Sequence, residues 1–229
     1  PVTIFLRGLS SLTTLSFFDI PITEEGLNYS SWGYESFTSL EAQELFDNAR
    51  YHNTKIFLTL SALNHSTIEN LLNSESAKQQ LADQAIEEIK LANIDGLTVD
   101  FECSDGLPHR EKFSQFISYL ATRIHNELPN AKLAVAVPSS HINNSIYNIE
   151  ELSKSADRIF LIASDFIVPE VAGSKHKNPV FGFSEKEYFS GISNLIATLT
   201  KTIPSEKIAL ERAWYGNGDK YPLYIPTST

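Results

Sequence analysis

The sequence predicts an α/β fold, specifically a (β/α)8 TIM barrel trimmed at its C-terminal end, with residues 1–229 forming one domain. Three observations lead to this expectation. Short apolar runs rich in β-formers alternate with longer segments of helical period, the pattern of βαβ units on a parallel sheet. The strands are near-continuous in apolar residues, as strands covered on both faces must be. No glycine-rich phosphate loop follows the first strand, as a dinucleotide-binding doubly wound sheet would require, so a closed barrel is preferred. Six clear strands and a weaker one at Val2–Leu6 fall short of the eight that a barrel of about 250 residues contains, hence the expectation of trimming.

In chain order, Leu12–Ile20 is strand-like and is followed by a polar loop carrying Tyr29, Trp32 and Tyr34, then by a helix over Leu40–Tyr51. Lys55–Leu60 is the next strand. Helical segments cover Thr67–Leu72 and Ser76–Ala92, the second with Leu81, Ala85, Ile86 and Ile89 spaced for one buried face. Asp95–Glu102 follows as a strand. Pro108 suits a first helical turn, and Phe113, Phe116, Ile117, Leu120, Ile124 and Leu128 keep the i, i+3, i+4, i+7 spacing of a core-facing stripe. Lys132–Val137 is a strand closed by Pro138, Ile149–Ser155 a short helix, Arg158–Asp165 a strand, Glu185–Thr200 a helix and Lys207–Trp214 a last strand.

Composition narrows the partners. Lys+Arg 18 against Asp+Glu 28 gives a formal charge of −10, which repels polyphosphate and argues against nucleic acid as a partner. The apolar runs are too short for membrane insertion. A neutral glycan or small molecule fits better. The one cysteine, Cys103, excludes an internal disulfide and a thiolate-rich zinc site. The six histidines show no H-E-x-x-H or other paired spacing, so no metal site is expected, and no cofactor motif is present. A G-x-S-x-G elbow is also lacking, which removes support for a serine hydrolase.

The informative segment is Asp95-Gly96-Leu97-Thr98-Val99-Asp100-Phe101-Glu102. Side chains on a strand alternate faces, and this strand alternates chemically. Leu97, Val99 and Phe101 share one face; Thr98, Asp100 and Glu102 share the other, stepping toward the C-terminal mouth where barrel enzymes place their chemistry. Two acids two residues apart on an inward face are costly to bury as anions. They are expected to share hydrogen bonds and be pushed to different pKa values, which suits one to act as a general acid. The plainer alternative is a pair of acids ending a strand at the solvent. The alternating set of three favours a site over that alternative.

This segment resembles the D-G-x-D-x-D-x-E signature on the fourth barrel strand of glycoside hydrolase family 18, matching at Asp95, Gly96, Asp100 and Glu102. The resemblance extends at lower density along most of the chain. Ile56–Ser61 stands where the family has its S-x-G-G strand but lacks the glycines, Leu133–Pro138 looks like its fifth strand, Ile162–Asp165 like its sixth, and Pro204–Leu210 running into Trp214-Tyr215-Gly216 like its seventh. The resemblance implies hydrolysis of β-linked N-acetylglucosamine glycans, such as chitin, chitooligosaccharides or peptidoglycan, by a retaining mechanism in which the substrate's own acetamide attacks the anomeric carbon. It implies Glu102 as acid and base, Asp100 as the residue orienting the acetamide, and Asp165 as a further contact to that group. It also implies a secreted or cell-envelope location. Two positions depart from the pattern: Thr98 replaces an acid that usually shares a proton with the central Asp, and Ser164 stands where a Tyr normally contacts the acetamide. A hydroxyl at Thr98 still donates and accepts, so a shifted pH profile is expected. A catalytically silent, carbohydrate-binding relative is the alternative; retention of Glu102 argues against it.

Trp214 and Tyr215, at the end of the last strand, can stack on sugar rings or pack at the rim. Trp32 and Tyr34 can do the same, with packing favoured for Trp32. Asp19 ends its strand and can face the mouth or serve a turn, the commoner role of a lone strand-end acid. His141 falls in a loop beside the fifth strand.

Overall fold

The computed structural model describes residues 12–103, 109–139, 146–162 and 194–211. The elements in order are β1 (Thr14–Thr23), β2 (Gly26–Leu27), α1 (Trp32–Phe37), α2 (Leu40–Tyr51), β3 (Lys55–Ala62), α3 (His65–Asn73), α4 (Glu75–Ala92), β4 (Gly96–Phe101), α5 (Arg110–Glu127), β5 (Lys132–Pro138), α6 (Ile149–Ser155), β6 (Arg158–Ile162) and β7 (Ile208–Glu211). Residues 194–199 are also helical. The strands run β1-β3-β4-β5-β6-β7 side by side, every neighbouring pair parallel, with the short β2 added antiparallel to the outer edge of β1. These six parallel strands, each of the five after β1 preceded by a helix, form an arc of a (β/α)8 barrel. All six were expected from the sequence; the weaker candidate at Val2–Leu6 lies outside the described residues.

Two elements differ from expectation. The polar segment after β1 holds the two-residue β2 and, from Trp32, the helix α1. Ser31 caps this helix by accepting from the Tyr34 N–H, a local signal that outweighs the absence of an apolar stripe. Most other helices begin the same way: Ser39, Asn64, Ser74 and Asn148 each accept a backbone N–H of the first turn of α2, α3, α4 and α6.

Strand alternation divides the core in two. Outward residues Leu58 and Leu60 of β3, Leu97, Val99 and Phe101 of β4, Leu133, Val135 and Val137 of β5 and Ile159 and Leu161 of β6 are all fully buried beneath the helices. Phe46 of α2, Leu71 of α3, Ile86 of α4 and Phe113, Phe116 and Leu120 of α5 meet them. Each such side chain contributes about 1.5–3 kcal/mol relative to exposure. Phe101 stacks on Phe116 at 6.2 Å between centroids and tilts against Phe113 at 6.1 Å, locking the end of β4.

The N-terminal ends of the strands are fastened by a repeated device. Asp95, just before β4, accepts from the Ile56 N–H at 2.9 Å and from Lys55 Nζ at 2.7 Å on the preceding strand. Asp157, just before β6, accepts from the Leu133 N–H at 2.9 Å and from Lys132 Nζ at 3.0 Å, with His125 Nε2 adding a third contact at 2.8 Å. Burial works to raise the Asp157 pKa, but the Leu133 N–H, Lys132 and His125 outweigh it and hold the carboxyl below its usual range. In both cases an Asp at a strand start pins a Lys-apolar pair on its neighbour. Between these clamps the backbones of β4 and β5 run very close: a Cβ on Gly96 would lie 2.2 Å from the Lys132 carbonyl oxygen, so only glycine fits.

Candidate active site

Register fixes what faces the barrel interior. Thr59 stands beside Thr98, and Ser61 beside Asp100; Ala134 of β5 flanks Thr98 on the other side. The lower interior layer is a run of hydroxyls: Ser16 Oγ lies 2.9 Å from Thr59 Oγ1 and 3.4 Å from Thr98 Oγ1. Thr98 therefore belongs to a buried hydroxyl chain across three strands, at 3% exposure. One step toward the mouth sits Asp100, 6% exposed, next to Ser61.

Glu102 lies one residue beyond the end of β4, yet its N–H still donates to the Ala62 carbonyl at 2.8 Å, so the ladder and its alternation continue through it. Thr98, Asp100 and Glu102 thus follow one interior row, from the closed bottom toward the C-terminal end of the strand. Glu102 is half-buried, as a group exchanging protons with a bound molecule needs to be.

A β-bulge decides between the two places open to Asp19, the mouth and a turn. Between Phe17, opposite Leu58, and Ile20, opposite Leu60, β1 has two residues where β3 has one. The extra length turns Phe18 out to solvent and places Asp19 where it accepts a hydrogen bond from the Ser61 hydroxyl. Asp19 accordingly belongs to the polar end of the barrel, one strand from Asp100. A Cβ on Gly33 of α1 would fall 1.9 Å from the Asp19 carbonyl oxygen, so this glycine lets α1 approach the bulge.

Tyr147 carried no signal in the sequence. It is fully buried, donates its O–H to the Phe101 carbonyl at 2.7 Å, and meets Phe113 edge-on at 5.9 Å. Its pKa is pushed far above the usual phenol value, first by burial and then by the negative charge of Asp100, Glu102 and Cys103. The phenol stays neutral and remains a donor to the peptide that joins Phe101 to Glu102.

Of the other aromatic candidates, Tyr34 turns away from the interior: its O–H donates to Glu88 Oε1 of α4 at 3.3 Å, beneath which burial holds the Glu88 carboxyl above its ordinary range. Trp32 is 78% exposed at the start of α1, a surface position. Asp165, Ser164, Trp214, Tyr215 and His141 lie outside the described residues. The histidines are not all isolated, against the expectation from spacing: His65 and His109 lie together with Glu69 between them.

Comparison with known proteins adds to this geometry. The profile of glycosyl hydrolases family 18 matches residues 7–221. A search of curated proteins finds no match. Among solved structures, the putative sporulation-specific glycosylase ydhD of Bacillus subtilis superposes with a TM-score of 0.68 at 18% identity, covering 88% of this chain and 64% of that one. The spore cortex-lytic enzyme SleL of Bacillus megaterium QM B1551 gives 0.73 at 13% identity, covering 93% and 46%. Human YKL-39, described as a pseudo-chitinase with retained chitooligosaccharide binding, gives 0.71 at 18% identity, covering 94% and 64%. The chain spans less than two thirds of the length of each of these.

Proposed function

The chain belongs to glycosyl hydrolase family 18, and from that premise we propose that it cleaves β-linked N-acetylglucosamine glycans by substrate-assisted, retaining catalysis. The observation that carries the reading is the interior row on β4: Asp100 and Glu102 one step apart above a buried hydroxyl chain, at the end of the strand where barrel enzymes act. Glu102 protonates the glycosidic oxygen as the bond to the anomeric carbon breaks. The substrate's acetamide oxygen attacks that carbon from the opposite face, and Asp100 stabilises the positive charge that develops on the acetamide nitrogen. The resulting bicyclic intermediate is opened by water, whose proton returns to Glu102, so the sugar keeps its anomeric configuration and the enzyme is regenerated.

Asp165 and Ser164 contact the acetamide in this scheme, while Trp214 and Tyr215 stack on sugar rings. Thr98 carries no proton in it and supports the floor beneath Asp100. The structural neighbour named as a spore cortex-lytic enzyme supports a cell-wall glycan over chitin. Such substrates lie outside the cytoplasm, and the proposed location is secreted or cell-envelope.

The test is turnover of chitooligosaccharides and purified cell-wall glycan by wild type, Glu102→Gln and Asp100→Asn. General acid catalysis typically contributes about 10²–10⁴-fold, so Glu102→Gln should lose that much in kcat while still binding glycan. Glucans lacking the acetamide should not react. Wild type that binds these glycans and cuts none of them would transfer the chain to the silent, lectin-like reading, for which the human pseudo-chitinase is the precedent.

A further inference from the structure

We propose that His65, Glu69 and His109 form a binding site for one divalent transition-metal ion of the zinc type, outside the barrel interior. His65 and Glu69 stand four residues apart on α3 and so share one face of that helix. His109, the residue that opens α5, brings the third donor from the other side of residues 104–108. The three donor atoms lie within 4.8 Å of one another.

Their spacing is the carrying observation. His65 Nε2 is 3.6 Å from Glu69 Oε2, and His109 Nε2 is 3.5 Å from Glu69 Oε1. Both separations exceed the 2.7–3.2 Å of a well-made N–H···O bond, so the groups approach without pairing closely. The two rings approach different oxygens of one carboxylate, and one donor atom from each residue lies within 4.8 Å of the others, against the edges of about 3.3–3.4 Å that a tetrahedral zinc with bonds of about 2.0–2.1 Å requires. An ion seated among the three draws the donors inward by about 1 Å, which the exposed His65 and Glu69 side chains can supply by rotating.

The surroundings fit the same ion. His65 Nδ1 lies 2.9 Å from Cys103 Sγ, so the second ring nitrogen is held, as it generally is in a ligating histidine. In the tautomer that donates from Nδ1 to the sulfur, the form able to ligate, Nε2 presents its lone pair toward the carboxylate. That arrangement is repulsive between the two groups alone and favourable around a shared cation. His109 Nδ1 is buried with no hydrogen-bond partner among the described residues, and its side chain is 12% exposed, while Glu69 is 42% and His65 47% exposed. One ligand is thus firmly seated, two can adjust, and a water can complete the tetrahedron. Two imidazoles and one carboxylate suit zinc, cobalt, nickel or copper rather than magnesium or calcium, which take oxygen donors. The ion would tie α3 to the start of α5 and, through His65, hold Cys103, the residue after Glu102.

The experiment reads metal binding alone, so it stands apart from the proposed glycan cleavage. The purified chain is stripped with EDTA and titrated with ZnCl2 against a chromophoric chelator, and with CoCl2 while the visible d–d bands are recorded. The expected result is one ion per chain, intense bands of tetrahedral cobalt, no competition from MgCl2, and a melting temperature raised by zinc through mass action. His65→Ala, Glu69→Gln and His109→Ala should each remove the one-to-one site, and Cys103→Ser should weaken it about tenfold or more, as loss of a ring-orienting contact does. His65 and Glu69 are surface residues, so their variants should melt like the metal-free wild type and decide the matter even if His109→Ala folds poorly. No zinc uptake by wild type, or uptake unchanged in both His65→Ala and Glu69→Gln, would overturn the proposal and leave a pair of histidine–carboxylate contacts.

Discussion

Gly96→Ala is a single-methyl test of how tightly β4 is built into the sheet. The added Cβ would lie 2.2 Å from the Lys132 carbonyl oxygen and 3.0 Å from both the Lys132 carbonyl carbon and nitrogen. An ordinary carbon–oxygen contact between strands is about 3.3–3.6 Å, so the two backbones must separate by about 1 Å. All the atoms in the way are main chain, and no rotamer change can relieve the clash. Overpacking of this kind costs about 1–3 kcal/mol. Separation also stretches the adjoining bond from the Lys132 N–H to the Asp95 carbonyl, 2.9 Å long, whose loss costs about 1 kcal/mol more. The sum, about 2–4 kcal/mol, corresponds to a fall in Tm of about 5–15 °C for a chain of this size. Circular dichroism melts of both proteins, with reversibility checked, measure it. An alanine variant melting within about 1 °C of wild type would show that β4 and β5 can part freely and that the glycine is not required by packing.

Two further perturbations read other parts of the same frame. Tyr147→Phe removes the donor to the Phe101 carbonyl and leaves that oxygen without this buried partner; the expected outcome is a loss of about 1–3 kcal/mol in denaturant unfolding, with any glycosidase activity falling in kcat more than in KM because the peptide preceding Glu102 is released. Asp157→Asn tests the lower clamp by its pH dependence. The folded pKa of Asp157 is held below the usual 3.8, so its stabilising contribution is complete above that value and is lost as pH falls through the lower, folded one. The stability gap between wild type and Asp157→Asn should therefore be widest near neutrality and close below about pH 4; a gap that widened on acidification would contradict the assignment.

The fold was legible because the strands are apolar enough to read without knowing their partners. Lys55–Ala62, Lys132–Pro138 and Arg158–Ile162 announce burial on both faces, and the stripe from Phe113 to Ile124 can belong only to a helix covering them. The same rule hid α1. Trp32–Phe37 spans six residues, too short for a stripe, and only the cap at Ser31 marks it. In the site, Thr98, Asp100 and Glu102 were legible because alternation is local. Asp19 was not, since its place depends on a bulge that appears only when β1 is set against β3. Tyr147 and His109 owe their positions to contacts 46 and about 40 residues away in sequence, which no local period reports. The His65–Glu69 spacing could have been noticed, but two donors on a helix face acquire chemical meaning only with a third.

The eight-residue segment from Asp95 to Glu102 separates into three functions by position. Its first two residues are architectural: Asp95 binds the start of β3, and Gly96 admits the backbone of β5. Leu97, Val99 and Phe101 face outward and anchor the strand in the core. Thr98, Asp100 and Glu102 face inward, and only these can touch a ligand in the barrel. A carboxylate at position 95 and one at position 100 are thus the same chemical group under opposite demands. The first accepts from a lysine and a backbone N–H of the strand beside it. The second is buried beside a serine, in a row of hydroxyls with another acid one step above. In the proposed reaction the acid above it, Glu102, delivers the proton, while Asp100 meets the positive charge that forms on the acetamide nitrogen. A barrel strand can fulfil both demands because its bottom end is tied down by neighbours while its top end is left for chemistry, so the direction of the chain along β4 is also the direction from stability to function.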